Sequence, residues 1–209
     1  MKVSEIFYSI QGEGINVGKP AVFVRLQECN LRCSFCDSKY TWNSKEGREM
    51  SKDEVVKEIK KFKCNHVVWT GGEPSLQISE IEDIMLFKLF DYTCEIETNG
   101  TIYFFPDPFD LVTISPKRGH VNYRVLKKFS NENNTLFKFV IADRGDLRYW
   151  LRAIKRLKLS KNRCMFMPEG KDEKTLRERS LWLVEKCKEH NIRFSPRLHI
   201  ILYGNVRGR

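Results

Sequence analysis

Residues 21–36 read Ala21-Val22-Phe23-Val24-Arg25-Leu26-Gln27-Glu28-Cys29-Asn30-Leu31-Arg32-Cys33-Ser34-Phe35-Cys36. The first six are apolar apart from Arg25, the pattern of a strand covered on both faces. The three cysteines behind it occupy a loop at the strand's carboxyl end, where α/β sheets place their sites. A structural zinc ion wants four ligands, commonly two close pairs. Here Cys29, Cys33 and Cys36 have no adjacent fourth Cys or His, and only Cys64 and His66 offer distant completions. A cubane iron–sulfur cluster matches better, because clusters are held by thiolates. Three protein ligands leave one iron open to a substrate or cofactor.

Outward from this strand, similar runs recur at Val3–Tyr8, His66–Trp69, Cys94–Thr98, Leu111–Ile114, Leu136–Ile141, Cys164–Met167 and Ile192–Phe194. Helical patterns fall between them. Ser51-Lys52-Asp53-Glu54 is a capping box opening a helix with Val55, Val56, Ile59 and Phe62 on one side. Ser79-Glu80-Ile81-Glu82 has the same form, with Ile81, Ile84, Met85 and Leu89 inward. Asp146–Lys158 carries Leu147, Trp150, Leu151, Ile154 and Leu157 on one stripe and Arg148, Arg152 and Lys155 on the other; Asp172–His190 is a fourth long helix. Alternating strands and helices predict an α/β fold, with a mainly parallel sheet and helical crossovers. At 209 residues the chain is short for eight β/α units. The expectation is a partial, open β/α barrel in a single domain over residues 1–209.

With 41% hydrophobic and 12% aromatic residues, the composition is that of a packed domain and excludes a solvated coil. No apolar run approaches the ~18 residues of a membrane span. Glu5 and the Gln11-Gly12-Glu13-Gly14 stretch break any signal-peptide core, so the expected location is cytoplasmic. The net charge of +10 is concentrated between Lys117 and Arg163, where fourteen Lys and Arg face three acids. Such a segment suits nucleic acid, an acidic protein or an anionic ligand, or is a solvated helix face. Seven cysteines, an odd number, argue against a closed disulfide framework. Cys64, Cys94, Cys164 and Cys187 stand singly among apolar neighbours and read as core thiols.

A second motif, Thr70-Gly71-Gly72-Glu73-Pro74, follows the strand His66–Trp69. Alone it is a tight strand-to-helix turn, its glycines allowing close backbone approach. Together with the C-x3-C-x-aromatic-C loop one strand–helix unit earlier, it resembles the radical S-adenosylmethionine superfamily. Further segments narrow the resemblance to the 7-carboxy-7-deazaguanine synthase family: Ile10-Gln11-Gly12-Glu13-Gly14, Cys36-Asp37-Ser38, Ser115-Pro116-Lys117 and Leu198-His199 … Tyr203-Gly204-Asn205-Val206-Arg207-Gly208. The resemblance is strong in the cysteine loop and at both ends, and thin between about residues 120 and 190, which is also the basic region.

That resemblance implies a radical lyase converting 6-carboxy-5,6,7,8-tetrahydropterin to 7-carboxy-7-deazaguanine with loss of ammonia. The product is a precursor of the queuosine and archaeosine bases of tRNA. By position, Cys29, Cys33 and Cys36 would hold a 4Fe–4S cluster. Phe35, Cys36, Asp37, Gly72, Ser115, Pro116 and Lys117 would bind S-adenosylmethionine, and Ser38 would ligate Mg2+. Ile10, Gln11, Gly12, Arg25, Thr70, His199 and Asn205 would contact the pterin, with Arg25 on its carboxylate. No acid or base is assigned: Glu13 and Glu73 read as turn acids. The implied partners are the small-molecule pterin, a flavodoxin or ferredoxin-type reductant steered by the basic helix, and a second copy in a homodimer, with no direct contact to nucleic acid or membrane. Two alternatives stand beside this: a glycyl-radical-enzyme activating protein, and a zinc-stabilised nucleic-acid-binding module using the basic segment.

Overall fold

A computed structural model describes all of residues 1–209, and its nine strands join one sheet. Strands β1 (Lys2–Ile10) and β2 (Pro20–Leu26) form an antiparallel hairpin, and β3 (Arg48–Glu49) adds a short antiparallel pair to the outer edge of β1. From β2 onward, β4 (His66–Gly71), β5 (Thr93–Thr98), β6 (Leu111–Ile114), β7 (Thr135–Ile141), β8 (Cys164–Pro168) and β9 (Arg193–Phe194) run parallel in chain order. The end strands β3 and β9 do not pair, so the sheet stays open, as the chain length led one to expect. The antiparallel hairpin and the two-residue β3 are additions that the apolar runs did not reveal.

The crossover helices start where local chemistry satisfies their first amides. Ser51 accepts from Glu54 N and the Glu54 carboxylate accepts from Ser51 N, completing the capping box of α1 (Lys52–Ile59). The second expected box does not form. Helix α2 (Ile78–Lys88) follows a 3-10 turn over Pro74–Gln77, which Glu73 caps by accepting from Ser75 N. The turn therefore starts the helical winding early, and Ser79 lies inside α2. Ile81, Ile84, Met85 and Leu89 are nonetheless buried, as the pattern required. A short helix α3 (Tyr123–Phe129), capped by Asn122, had no sequence-level counterpart. Helix α4 (Arg144–Leu157) begins two residues earlier than its apolar stripe suggested, because Asp143 accepts from Gly145 N and Asp146 N. Helix α5 (Glu173–His190) is capped by Asp172 and ends on Asn191 in the left-handed region. No helix is long and apolar enough to cross a membrane.

Alternation along the strands divides the sheet into two unlike faces. Val22, Val24, Val67, Trp69, Cys94, Ile96, Val112 and Ile114 belong to the main core, together with buried residues of the crossover helices. Their neighbours Phe23, Arg25, Thr70, Glu97 and Lys138 line a cavity on the opposite face, with His66 and Glu95 buried below it. One face supplies most of the apolar burial that stabilises the domain. The other carries ionisable groups that have to be paired.

Candidate active site

The cavity has a volume of about 460 Å3 and opens at the carboxyl ends of the parallel strands. One wall is the cysteine loop. The chain leaves β2 through Glu28, which adopts φ 74°, and Cys29, Cys33 and Cys36 then line the cavity, all partly exposed and unbridged. The loop is fixed by backbone pairs to the glycine turn after β4: Gly72 N donates to Leu26 O at 2.9 Å and Glu73 N to Glu28 O at 2.7 Å. A Cβ on Gly72 would fall inside the Glu28 carbonyl, so this close approach explains the glycine. Lys171 Nζ donates to Cys36 O at 2.7 Å from beyond β8. Glu73 is buried, accepting from Thr98 Oγ1 at 2.6 Å and Asn99 N at 2.7 Å, and so ties this turn to the end of β5.

No three Cys, His, Asp or Glu side chains converge on a single-ion site. Three thiols that share a loop without meeting at a point suit the corners of a cubane cluster better than one zinc ion. The proposed completions fail as well. His66 lies at the amino end of β4, away from the loop, with Nε2 2.7 Å from Glu95 Oε1 and Nδ1 3.2 Å from Pro20 O. Cys64 Sγ lies 3.6 Å from the carbonyls of Pro20 and His66. Burial pushes the thiols of Cys164 and Cys187 up to about 12, and it raises Cys94 further, so these remain protonated core groups. Cys64 is only partly buried, a departure from the expected core thiol.

Opposite the cysteines stands an ionic network that sequence reading did not assemble. The β1–β2 connection folds onto the polar face and places Glu13 against Lys138 Nζ and, at 2.9 Å, Arg197 Nε. Arg197 also pairs with Asp37, and Lys138 lies 3.3 Å from Glu97. Burial alone would raise the Glu13 carboxyl, but the Lys138 and Arg197 charges override it and hold Glu13 far below the carboxylate range. Asp37 is held low in the same way by Arg197. Lys138 is raised: its carboxylate partners outweigh the burial that would lower it. Lys117, which donates to Ser115 Oγ at 2.7 Å, is lowered by burial and by the Lys138 charge. The sequence did carry a signal: Lys138 is a lone charge in an apolar run, and Glu95 and Glu97 are two residues apart on one strand face.

Nearly all residues singled out from the sequence meet in this cavity. Ile10, Gln11, Gly12, Arg25, Phe35, Asp37, Ser38, Thr70, Gly72, Ser115, Lys117, His199 and Asn205 line it with the three cysteines. Pro116 does not. Because Lys117 reaches back to Ser115, those two share a side, and Pro116 between them faces a smaller pocket beside Ser34 and Phe35. Arg25 donates from Nε to Glu5 Oε1 at 2.8 Å, while its terminal nitrogens bond to no protein group. Thr70 Oγ1 donates to Glu97 at 3.1 Å and Ser38 Oγ to Asp37 at 2.9 Å. His199 lies in the first turn of helix α6 (Leu198–Tyr203) and packs on Gly12, where any Cβ would collide with the imidazole. The segment after the last strand is thus helical, with Ile200 buried and Ile201 to Tyr203 exposed.

This loop, turn and open parallel sheet define a class. Residues 24–176 match the Radical SAM superfamily, to which the chain belongs. The chain is 34% identical to the 7-carboxy-7-deazaguanine synthase of Pyrobaculum aerophilum, covering 100% of this chain and 97% of that protein. It is 35% identical to the enzyme of the same name from Aquifex aeolicus, over 94% and 91%. The crystal structure of QueE from Escherichia coli superposes with a TM-score of 0.72 at 26% identity, covering 95% of this chain and 94% of that one. Within the superfamily, the chain belongs to the 7-carboxy-7-deazaguanine synthase family.

Proposed function

We propose that this chain converts 6-carboxy-5,6,7,8-tetrahydropterin to 7-carboxy-7-deazaguanine and ammonia, within a single unit spanning residues 1–209. The observation that carries this reading is convergence: the cysteine loop, the glycine turn and both terminal segments line one cavity. Cys29, Cys33 and Cys36 would hold a 4Fe–4S cluster, which together with S-adenosylmethionine would supply radical hydrogen-abstraction chemistry. The protein binds, orients and keeps water away. Its donor set fits the group, since three partly exposed thiols share one cavity wall and leave room beside them.

On that wall, Phe35, Asp37, Gly72, Ser115 and Lys117 hold S-adenosylmethionine. The amides of Gly72 and Glu73 are already donated to Leu26 and Glu28, so this turn offers the cofactor's amino group carbonyl acceptors. Pro116 supports Phe35 from the adjoining pocket. Ser38 presents a neutral oxygen beside the Asp37 carboxylate, a pair that suits Mg2+ when water and substrate complete its shell. Facing them, Ile10, Gln11, Gly12, Thr70, His199 and Asn205 contact the pterin, and the free terminal nitrogens of Arg25 take its carboxylate. The reading is tested by reconstituting the protein anaerobically and supplying the pterin, S-adenosylmethionine and dithionite. Stoichiometric ring-contracted product and ammonia are expected; cofactor cleavage with no deazapurine would overturn it.

The protein works in the cytoplasm with an acidic flavodoxin or ferredoxin-type donor, and as a homodimer. Arg148, Arg152 and Lys155 are exposed along the outer side of α4, which supports docking of the donor there. Reversing the three charges should slow donor-driven turnover at low salt and spare dithionite-driven turnover, with the defect shrinking as salt rises. Equal loss with both reductants would assign the helix another role.

A further inference from the structure

Each cysteine of the triplet has its backbone carbonyl engaged, and two of the three carbonyls are held by cations. Cys33 O accepts from Cys36 N at 3.1 Å, within the loop. Cys29 O accepts from the Arg32 guanidinium, which also reaches Leu31 O at 2.9 Å and lies over the Trp42 ring at 5.4 Å. Arg32 belongs to the loop itself and is exposed, so water screens its charge. Cys36 O accepts from Lys171 Nζ at 2.7 Å, across 135 residues of chain. Lys171 is half-buried, and the acids beside it are engaged elsewhere: Glu169 pairs with Arg179, and Asp172 caps α5 by accepting from Thr175 N. Arg197 fixes this turn against the loop, donating to Gly170 O and pairing with Asp37, the residue after Cys36. A cation without a counter-ion is therefore pressed on the cysteine loop by the fold rather than by the loop's own sequence.

We infer that Lys171 is a positioning residue for electron uptake: its charge, held at the Cys36 carbonyl, raises the reduction potential of the cluster on Cys29, Cys33 and Cys36. The inference rests on the 4Fe–4S reading above. Reduction adds one electron, from the flavodoxin or ferredoxin-type donor or from dithionite, and makes the net charge at the three thiolates more negative by one. A fixed positive charge nearby favours that state. Net charge, hydrogen bonding and solvent exposure are the levers by which a protein moves a cluster's potential, and Lys171 supplies the first. In a partly buried site a nearby unit charge biases a one-electron equilibrium by about tenfold. The hydrogen bond alone does not need a lysine, since any N–H donor of similar reach would satisfy the carbonyl. What the ammonium adds is charge, and with no carboxylate paired to it that charge is not cancelled locally. The turn after β8 thus eases the loading of an electron without touching substrate.

The test is a potentiometric titration of the cluster-loaded protein, followed by electron paramagnetic resonance, with iron content measured on every sample. Lys171→Gln keeps an N–H donor for the carbonyl and removes the charge, whereas Lys171→Arg keeps both. The midpoint potential should fall in Lys171→Gln by a tenfold change in the one-electron equilibrium, about 59 mV, and stay near the unmodified value in Lys171→Arg. Lys174→Met, which removes an exposed charge from the first turn of α5, should leave the potential where it was. An unaltered potential in Lys171→Gln, or an equal fall in Lys174→Met, would reduce Lys171 to a structural tie and overturn the inference. Loss of iron from Lys171→Gln would overturn it too, by assigning the lysine to assembly of the loop. An unmodified protein that takes up no 4Fe–4S cluster would instead defeat the cluster reading itself, and this inference with it.

Discussion

On the cysteine side of the cavity the key groups come from three short stretches, residues 26–38, 70–73 and 115–117. The opposite side is assembled from pairs 125, 184 and 202 residues apart: Glu13 with Lys138, Glu13 with Arg197, and Glu5 with Arg207. The first wall depends on backbone fit and on thiols at fixed spacing. The second depends on charge balance, in which removing one partner leaves another buried and uncompensated. A cofactor wall can therefore be built from short motifs, while a substrate wall on the same strands needs the whole sheet to bring its charges together.

The largest effect should come from the cysteine wall. Cys33→Ala should abolish cluster loading and all reductive cleavage of S-adenosylmethionine, whereas Cys187→Ala should leave the iron content intact. Iron analysis and the visible spectrum check this, and a fully loaded Cys33→Ala protein would break the distinction between motif thiols and core thiols.

Next in size is the charged wall. Lys138 is 3% exposed between Glu13 and Glu97, so Lys138→Met should cost about 3–5 kcal/mol in denaturant unfolding. The sign of the pH effect follows from Glu13. Its carboxyl is depressed in the folded state, so it contributes stability above its ordinary value of 4.5 and loses it as the pH falls toward the folded value. Without Lys138 the folded value moves back toward 4.5, so this contribution shrinks and its loss on acidification ends at higher pH. An unchanged acid unfolding profile would mean that the pair does not carry the charge balance.

Gly72→Ala probes the fit of the first wall directly, because its Cβ meets backbone that has no flexible end to move. A loss of about 1–3 kcal/mol is expected, with incomplete cluster loading. A normally loaded and stable variant would show that the two loops tolerate separation.

The smallest effect concerns His199, which burial and the neighbouring Arg197 hold below the ordinary 6.5 despite Glu13. The folded state thus keeps His199 neutral while the unfolded chain protonates near that value, so stability is present above it and falls as the pH drops below. His199→Gln should flatten this part of the curve between about pH 7 and 5. Thermal unfolding across that range measures it, and an unaltered slope would remove His199 from the charge network.

Sequence alone determined what arises from short-range chemistry. Eight of the nine strands, the capped start of α1, the cysteine triplet and the glycine turn are set by periodicity, capping oxygens and residue spacing that act within a few positions. The N- and C-terminal segments were legible as site material only through their likeness to a family. The rest required the fold. Whether Ser79 or Glu73 starts the turn into α2 was decided by Thr98 and Asn99, more than twenty residues ahead, which hold the Glu73 carboxylate in place. Whether Lys138 is a defect in an apolar strand or the centre of a network depends on Glu13 reaching it from the β1–β2 connection. Arg207 became part of the site because β1 and the tail meet around Glu5. Charges separated along the chain carry no local mark of their partners, and only sheet pairing brings them within the few ångströms over which an ion pair is felt.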